Sequence, residues 1–197
     1  MYSLTEDEKD VLQELMNVAY GSATAVVAEM LDAFATLSIP KIEVMSVNEL
    51  LHQFESLKDK SYFFATQAFA GEFSGESAFF IDETSANNLA KHLEVDSNED
   101  LDDAILELTN VLTATLTTKL AQEMQTQVSF SLPNISHIPL SEIADTNTFQ
   151  NYSQVIVIDT QLLFEDQKIN GEIFILTKDA SIQWLKHKLN YILDQLI

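Results

Sequence analysis

Two groups of residues in this chain have the types and the spacing to do chemistry together. Asp10, Glu14 and Asn17 are followed by Pro40, and Asp103, Glu107 and Asn110 are followed by Pro133. Each landmark in the second group lies 93 residues beyond its counterpart in the first. Average residue usage places such a pattern by chance in roughly one chain in several hundred. Two copies in register are therefore not coincidence. Positions i, i+4, i+7 and i+11 share one stripe of a helix. The stripes read Asp10, Glu14, Asn17, Gly21 and Asp103, Glu107, Asn110, Ala114. A carboxylate and a carboxamide one turn apart offer charge and hydrogen bonds to a partner, and the small Gly21 and Ala114 allow another backbone to come close. The competing reading of the acids is an ordinary solvated helix face. It fits the amides poorly, because mid-helix Asn carries a propensity cost and no local benefit.

The elements that position these stripes follow from periodicity. From about Thr5 to Asp32, Leu12, Leu15, Met16, Ala19, Ala23, Val26 and Met30 gather on one side of a long helix, with Thr5 as its N-cap. A second long helix spans Glu99–Gln125, with Ile105, Leu108, Leu112, Leu116 and Leu120 inward. Both stripes then lie roughly opposite the Leu-rich sides. Strands are predicted at Ser38–Val47, Ser61–Phe73, Ser77–Asp82, Thr126–Leu132, Val155–Phe164 and Glu172–Thr177. Gly71 and Gly75 mark one hairpin and Asp166–Gly171 the other. Shorter helices are predicted at Asn48–Leu57, at Thr84–Leu93 capped by Thr84 or Ser85, and at Ala180–Ile197.

The order helix, strands, helix thus occurs twice, and Gly75-Glu76-Ser77-Ala78-Phe79 resembles Gly171-Glu172-Ile173-Phe174-Ile175. The expectation is an α+β fold, internally duplicated into 1–95 and 96–197, forming one pseudo-two-fold domain over 1–197 with a mainly antiparallel sheet and two long motif-bearing helices. The polar run Glu94–Asp100 is the seam.

Composition narrows the function. The 10 Lys and Arg stand against 31 Asp and Glu, a net charge of −21. A surface this acidic repels a phosphate backbone, so nucleic acid is excluded as a partner. Apolar runs fall well short of the roughly 20 residues of a membrane helix, so membrane insertion is not expected. The absence of cysteine removes thiolate nucleophiles, disulfides and Cys-ligated metals, and fits a cytoplasmic protein. His52, His92, His137 and His187 show no metal-ligand spacing and read as surface or core residues, and Asp102-Asp103 reads as solvated charge.

The twice-present Asp-x3-Glu-x2-Asn-x22-Pro pattern, with Glu14-Leu15-Met16-Asn17-Val18-Ala19-Tyr20-Gly21 around its first copy, resembles the CheC-type chemotaxis phosphatases, a family that includes CheX and FliY. Two copies favour a CheC-like over a CheX-like protein, and the chain ends without room for the further domain of FliY. The resemblance implies hydrolysis of the aspartyl phosphate of a CheY-like response regulator. Asn17 and Asn110 would orient the attacking water, and Glu14 and Glu107 would pair with the regulator's lysine. Asp10, Gly21, Asp103 and Ala114 would contact the partner. Such chemistry rests on alignment and charge neutralisation, and the Mg²⁺ would belong to the regulator, leaving no cofactor or metal on this chain. Ala114 stands where the first copy has Gly21, so the two sites can dock a partner unequally. The alternatives are a non-catalytic adaptor that binds a receiver domain or a CheD-like deamidase, and a sensor with a small-molecule cleft between the halves.

Overall fold

The structure, a computed structural model, describes residues 3–55, 61–95, 97–139 and 152–196. Residues 56–57 of the predicted short helix, Asp96 of the seam and Ile197 lie outside the described residues. In chain order the elements are α1 (Glu6–Met30), β1 (Thr36–Leu37), β2 (Lys41–Ser46), α2 (Val47–Glu55), β3 (Ser61–Gly71), β4 (Gly75–Asp82), α3 (Glu83–Leu93), α4 (Asn98–Glu123), β5 (Val128–Phe130), β6 (Asn134–Pro139), β7 (Gln154–Phe164), β8 (Ile169–Thr177) and α5 (Asp179–Leu196).

Local chemistry sets the ends of the long helices. Thr5 Oγ1 accepts from the Glu8 backbone N–H at 3.2 Å, while Glu8 Oε2 accepts from the Thr5 N–H at 2.8 Å. This reciprocal capping box satisfies two donors that a helix start otherwise strands. Ser97 caps α4 in the same sense, accepting from the Asp100 N–H at 3.1 Å. The cap of α3 is not Thr84 or Ser85 but Asp82, whose carboxylate accepts from the Ser85 N–H at 2.7 Å. Asp82 ends a strand with extended backbone, as an N-cap requires, which frees Ser85 to be buried.

All described strand pairs are antiparallel, in the order β1-β7-β8-β4-β3-β5, with β2 also on β7 and β6 also on β3. The register repeats between halves. Leu37 faces Leu162 as Phe130 faces Phe69, and Lys41 faces Asp159 as Asn134 faces Thr66. Each residue of one pair lies 93 positions from its counterpart in the other. At the centre Ala78 faces Phe174, flanked symmetrically by Gly75 opposite Thr177 and by Ile81 opposite Gly171. The sheet therefore has a pseudo-two-fold axis through the β4–β8 ladder. Both glycines are demanded by close approach. A Cβ on Gly75 would lie 2.0 Å from the Leu176 carbonyl oxygen, and one on Gly171 would lie 2.4 Å from the Phe79 ring.

The central strands are buried on both faces. Phe79, Ile81, Ile156, Ile158, Ile173 and Ile175 meet α1, α4 and α5 through Leu12, Met16, Leu108, Leu112, Leu116 and Leu185. On the other face Phe64, Phe80, Val155, Val157, Phe174 and Leu176 pack against Leu50 of α2. Each fully buried leucine contributes about 1.5–3 kcal/mol of transfer free energy. Two-faced burial explains why the strands read as unbroken apolar runs.

The structure revises some boundaries. The predicted strand Ser38–Val47 is shortened to β2, because Ser38-Ile39-Pro40 lies outside the ladder, where Pro40 has no N–H to donate, and Val47 begins α2; the two-residue β1 before it is absent from the sequence reading. Pro133 stands at the same place before β6, a strand absent from the sequence reading, and β5 is shorter than Thr126–Leu132. The second hairpin turns at 165–168 rather than at Asp166–Gly171, so β8 begins at Ile169. On α1, Val27 rather than Val26 faces the core, and Val26 remains 42% exposed.

Candidate functional site

The first acid–amide stripe is carried on the outward face of α1. Asp10, Glu14, Asn17 and Gly21 are all exposed, while Leu12, Met16, Ala19 and Ala23 between them are buried. Asn17 and Gly21 border an open hollow of about 380 Å³, whose opposite wall is the Thr36–Ile39 segment. Among the described residues, a Cβ added to Gly21 would meet no atom within 4 Å outside its own stretch of helix. Packing within this chain therefore does not require glycine there. Tyr20, on the neighbouring helix face, is buried with its hydroxyl beside Thr160, and burial pushes its pKa well above the ordinary tyrosine value, making it a weaker acid.

The second stripe is on α4. Asp103 and Glu107 are exposed, whereas Asn110 and Ala114 are half-buried. Ala114 borders a second hollow of about 390 Å³, lined by Ser22 of α1 and by Thr115, Thr118, Lys119 and Gln122 of α4. The two stripes thus lie on helices that pack against each other, and Ala114 is near that seam, whereas Gly21 faces the first hollow.

Beneath the amides the two copies share a scaffold and differ in one contact. In the second copy, Ser131 exchanges backbone and hydroxyl bonds with β3: its N–H donates to the Ala68 carbonyl at 3.0 Å, and its Oγ accepts from the Ala68 N–H at 3.2 Å. In the first, Ser38 does the same with Gln161 on β7, at 2.9 Å for both bonds. Buried Thr160 donates to the Ser38 carbonyl at 2.7 Å, and buried Gln67 donates to the Ser131 carbonyl at 2.9 Å. Gln67 reaches further than threonine. Its Nε2 also donates to Asn110 Oδ1 at 2.8 Å. A carbonyl only accepts, so the Ser131 oxygen fixes which end of Gln67 faces it, and the Asn110 atom that Gln67 meets must be oxygen. The Asn110 Nδ2 hydrogens then point away from Gln67.

The scaffold also displays apolar side chains. Ile39 and Leu132, each between its serine and its proline, are 74% and 85% exposed. They are displaced from one another by the same 93 residues as the motifs, and Ile39 stands on the rim of the hollow that holds Asn17. The sequence reading missed Ile39, Leu132, Ser38 and Ser131, although the repeat step pointed to all four. It gave no sign of Gln67, because its counterpart Thr160 is a different residue.

Other predicted features have structural explanations. Asp102 is not free solvated charge: its Oδ1 is 2.7 Å from His137 Nε2, and His137 stacks edge-on against Phe63. His92 Nε2 lies 2.6 Å from the Leu31 carbonyl, joining α3 to the end of α1. Among the described residues no helix is long and apolar enough to cross a membrane.

Comparison with known proteins agrees with this geometry. Residues 63–158 match the family model described as chemotaxis phosphatase CheX, a span that includes Gln67, Glu107, Asn110 and Ser131. The chain is 23% identical over 199 residues to the protein named CheY-P phosphatase CheC from Bacillus subtilis, covering 92% of this chain and 93% of that protein. The fold is similar to the crystal structure of Thermotoga maritima FliY, with a TM-score of 0.76, 15% identity, and coverage of 96% of this chain and 99% of that one. It is also similar to the FliM middle domain from H. pylori, at a TM-score of 0.64 and 11% identity over 94% and 99% of the two chains. With the motif in both halves, the sheet that carries it and these likenesses together, the chain is similar in sequence to the chemotaxis phosphatases CheX and CheC and in fold to FliY.

Proposed function

We propose that this protein removes the phosphoryl group from the aspartyl phosphate of a CheY-like response regulator, using α1 and α4 as two insertion faces. The observation that carries the reading is the pair of acid–amide stripes. Glu14 with Asn17 and Glu107 with Asn110 occupy equivalent places in a two-fold fold, with both acids and Asn17 exposed and Asn110 half-buried. The name of the B. subtilis relative supports the substrate class.

In the proposed reaction Glu14 or Glu107 pairs with a lysine of the regulator and sets the docked register. Asn17 or Asn110 enters beside the phosphoryl group, and its carboxamide directs a water in line with the scissile bond. Phosphoryl transfer proceeds through a loose transition state, so alignment of the nucleophile and neutralisation of charge account for most of the catalysis. The regulator supplies the divalent cation and the lysine. Ile39 and Leu132 supply apolar contact at the rim, which matters because net charge −21 gives no long-range attraction to an acidic partner.

The test is multiple turnover. With the chain at one-tenth the concentration of a phosphorylated cognate receiver domain, wild type releases phosphate well beyond one equivalent. Asn17→Ala combined with Asn110→Ala reduces that rate to the regulator's own autodephosphorylation. Binding of a phosphorylated receiver without any turnover would replace this reading with that of an adaptor.

A further inference from the structure

We infer that Gln67 is a positioning residue for Asn110 and makes the two acid–amide sites unequal, the α4 site turning over faster per docking event. The inference rests on the phosphatase reading for its consequence, but its structural content stands apart from it. Gln67 is 1% exposed, and its Nε2 holds Asn110 Oδ1 and the Ser131 carbonyl together. Among the described residues Asn17 has no such partner, because Thr160, in the place of Gln67, spends its one hydroxyl donor on the Ser38 carbonyl.

What sets Gln67 apart from its counterpart is where its donors go. Its Oε1 is buried without a hydrogen-bond partner among the described residues. An unsatisfied buried acceptor is destabilising, and that cost stands against the two bonds that Nε2 donates. The other half fills the same space with a different pair, in which the Tyr20 hydroxyl is likewise buried without a hydrogen-bond partner among the described residues. There α1 contributes bulky Tyr20 and β7 contributes small Thr160, whereas at the matching positions α4 has small Thr113 and β3 has long Gln67. The volume has moved from helix to strand. What the exchange adds is a donor directed at the motif amide.

A held carboxamide suits catalysis by alignment. An amide oxygen has two lone pairs, so the Gln67 bond leaves one for the attacking water. The bond also removes the side-chain freedom that Asn17 must lose at each encounter. Immobilising one side chain in advance is worth a few-fold in rate, about three- to tenfold in kcat.

Two measurements test this. The first needs no substrate: ¹⁵N relaxation of the side-chain amides. Asn110 is expected to be as rigid as the backbone and Asn17 mobile, and Gln67→Leu should bring Asn110 to the mobility of Asn17. The exchange Tyr20→Thr with Thr160→Gln should conversely rigidify Asn17. If Asn110 is as mobile as Asn17 in the unmodified chain, the inference is wrong. The second measurement is kinetic, in single-site backgrounds. With Asn17→Ala, Gln67→Leu lowers kcat about three- to tenfold and leaves KM unchanged. With Asn110→Ala, the same substitution has nothing to act through, and the rate moves less than twofold. Equal slowing in both backgrounds would reveal a merely structural glutamine. Absence of turnover in the unmodified chain would overturn the phosphatase reading, while the relaxation data would still decide the clamp.

Discussion

The acid–amide pairs were legible as single residues because their spacing survives a shift of 93 positions and because mid-helix asparagine has little other justification. Gln67 was illegible for the converse reason: it breaks the repeat, and only the folded sheet places it beneath Asn110. Gly21 lies between these cases. It is exposed in the middle of α1, and among the described residues a methyl group there would meet nothing within 4 Å outside its own stretch of helix. Glycine inside a helix costs about 1 kcal/mol relative to alanine, so Gly21→Ala should stabilise the isolated chain by up to about that amount. The same methyl would stand in the approach path of a docking backbone. The expected outcome is a higher unfolding midpoint in urea together with a higher KM at the α1 site, measured with Asn110→Ala present. An unchanged KM would mean that no partner backbone comes near position 21.

At the scale of elements, periodicity located the helices and the four central strands, because these bury continuous apolar surface. It did not locate the turns at 38–40 and 131–133. These are specified by backbone and serine hydrogen bonds to a strand distant in sequence, for which no local pattern exists. β6 was lost with them, since its pairing partner β3 lies some 70 residues earlier. The turns have a consequence for docking. Each holds a large apolar side chain in solvent on a rigid frame, Ile39 at 74% and Leu132 at 85% exposure. Ile39→Ser and Leu132→Ser should leave thermal stability within about 0.5 kcal/mol, as exposed substitutions do. In titrations against a receiver domain carrying a phosphoryl mimic, each should weaken binding at its own site, and the double variant should lose more than either single. Unaltered affinity in the double variant would remove these turns from the interface.

For the molecule as a whole, the carboxylates divide into two classes that act oppositely on stability. Burial raises Glu76, Asp159 and Glu172 above their ordinary values, against a Thr66 bond and Lys178 at Glu76 and against Lys41 at Asp159; Asp159 adds to the rise at Glu172. These groups take up protons more readily folded than unfolded, so their ionised forms oppose folding near neutrality. Stability therefore rises as the pH falls through their folded values. Glu8 and Asp179 are the reverse. Burial opposes their ionisation, but it is outweighed at Glu8 by bonds from Thr5, Asn190 and Lys186, and at Asp179 by bonds from Ser153 and Gln154. Their contribution is complete above the ordinary values of 4.5 and 3.8 and is lost as the pH falls through their lowered folded values. Relief of repulsion among charges that sum to −21 acts in the same direction as the first class. The two limbs place the maximum of thermal stability on the acidic side of neutrality, above the fall that begins as Glu8 takes up its proton. Circular dichroism melts across that range in constant salt should show the maximum directly. Glu172→Gln should raise the midpoint near neutrality and flatten the rise, whereas Glu8→Gln should lower the midpoint and flatten the acid fall. A midpoint that climbs without interruption from acid to neutral pH would show that the buried carboxyls carry no net cost, and that the paired ones alone set the response to acid.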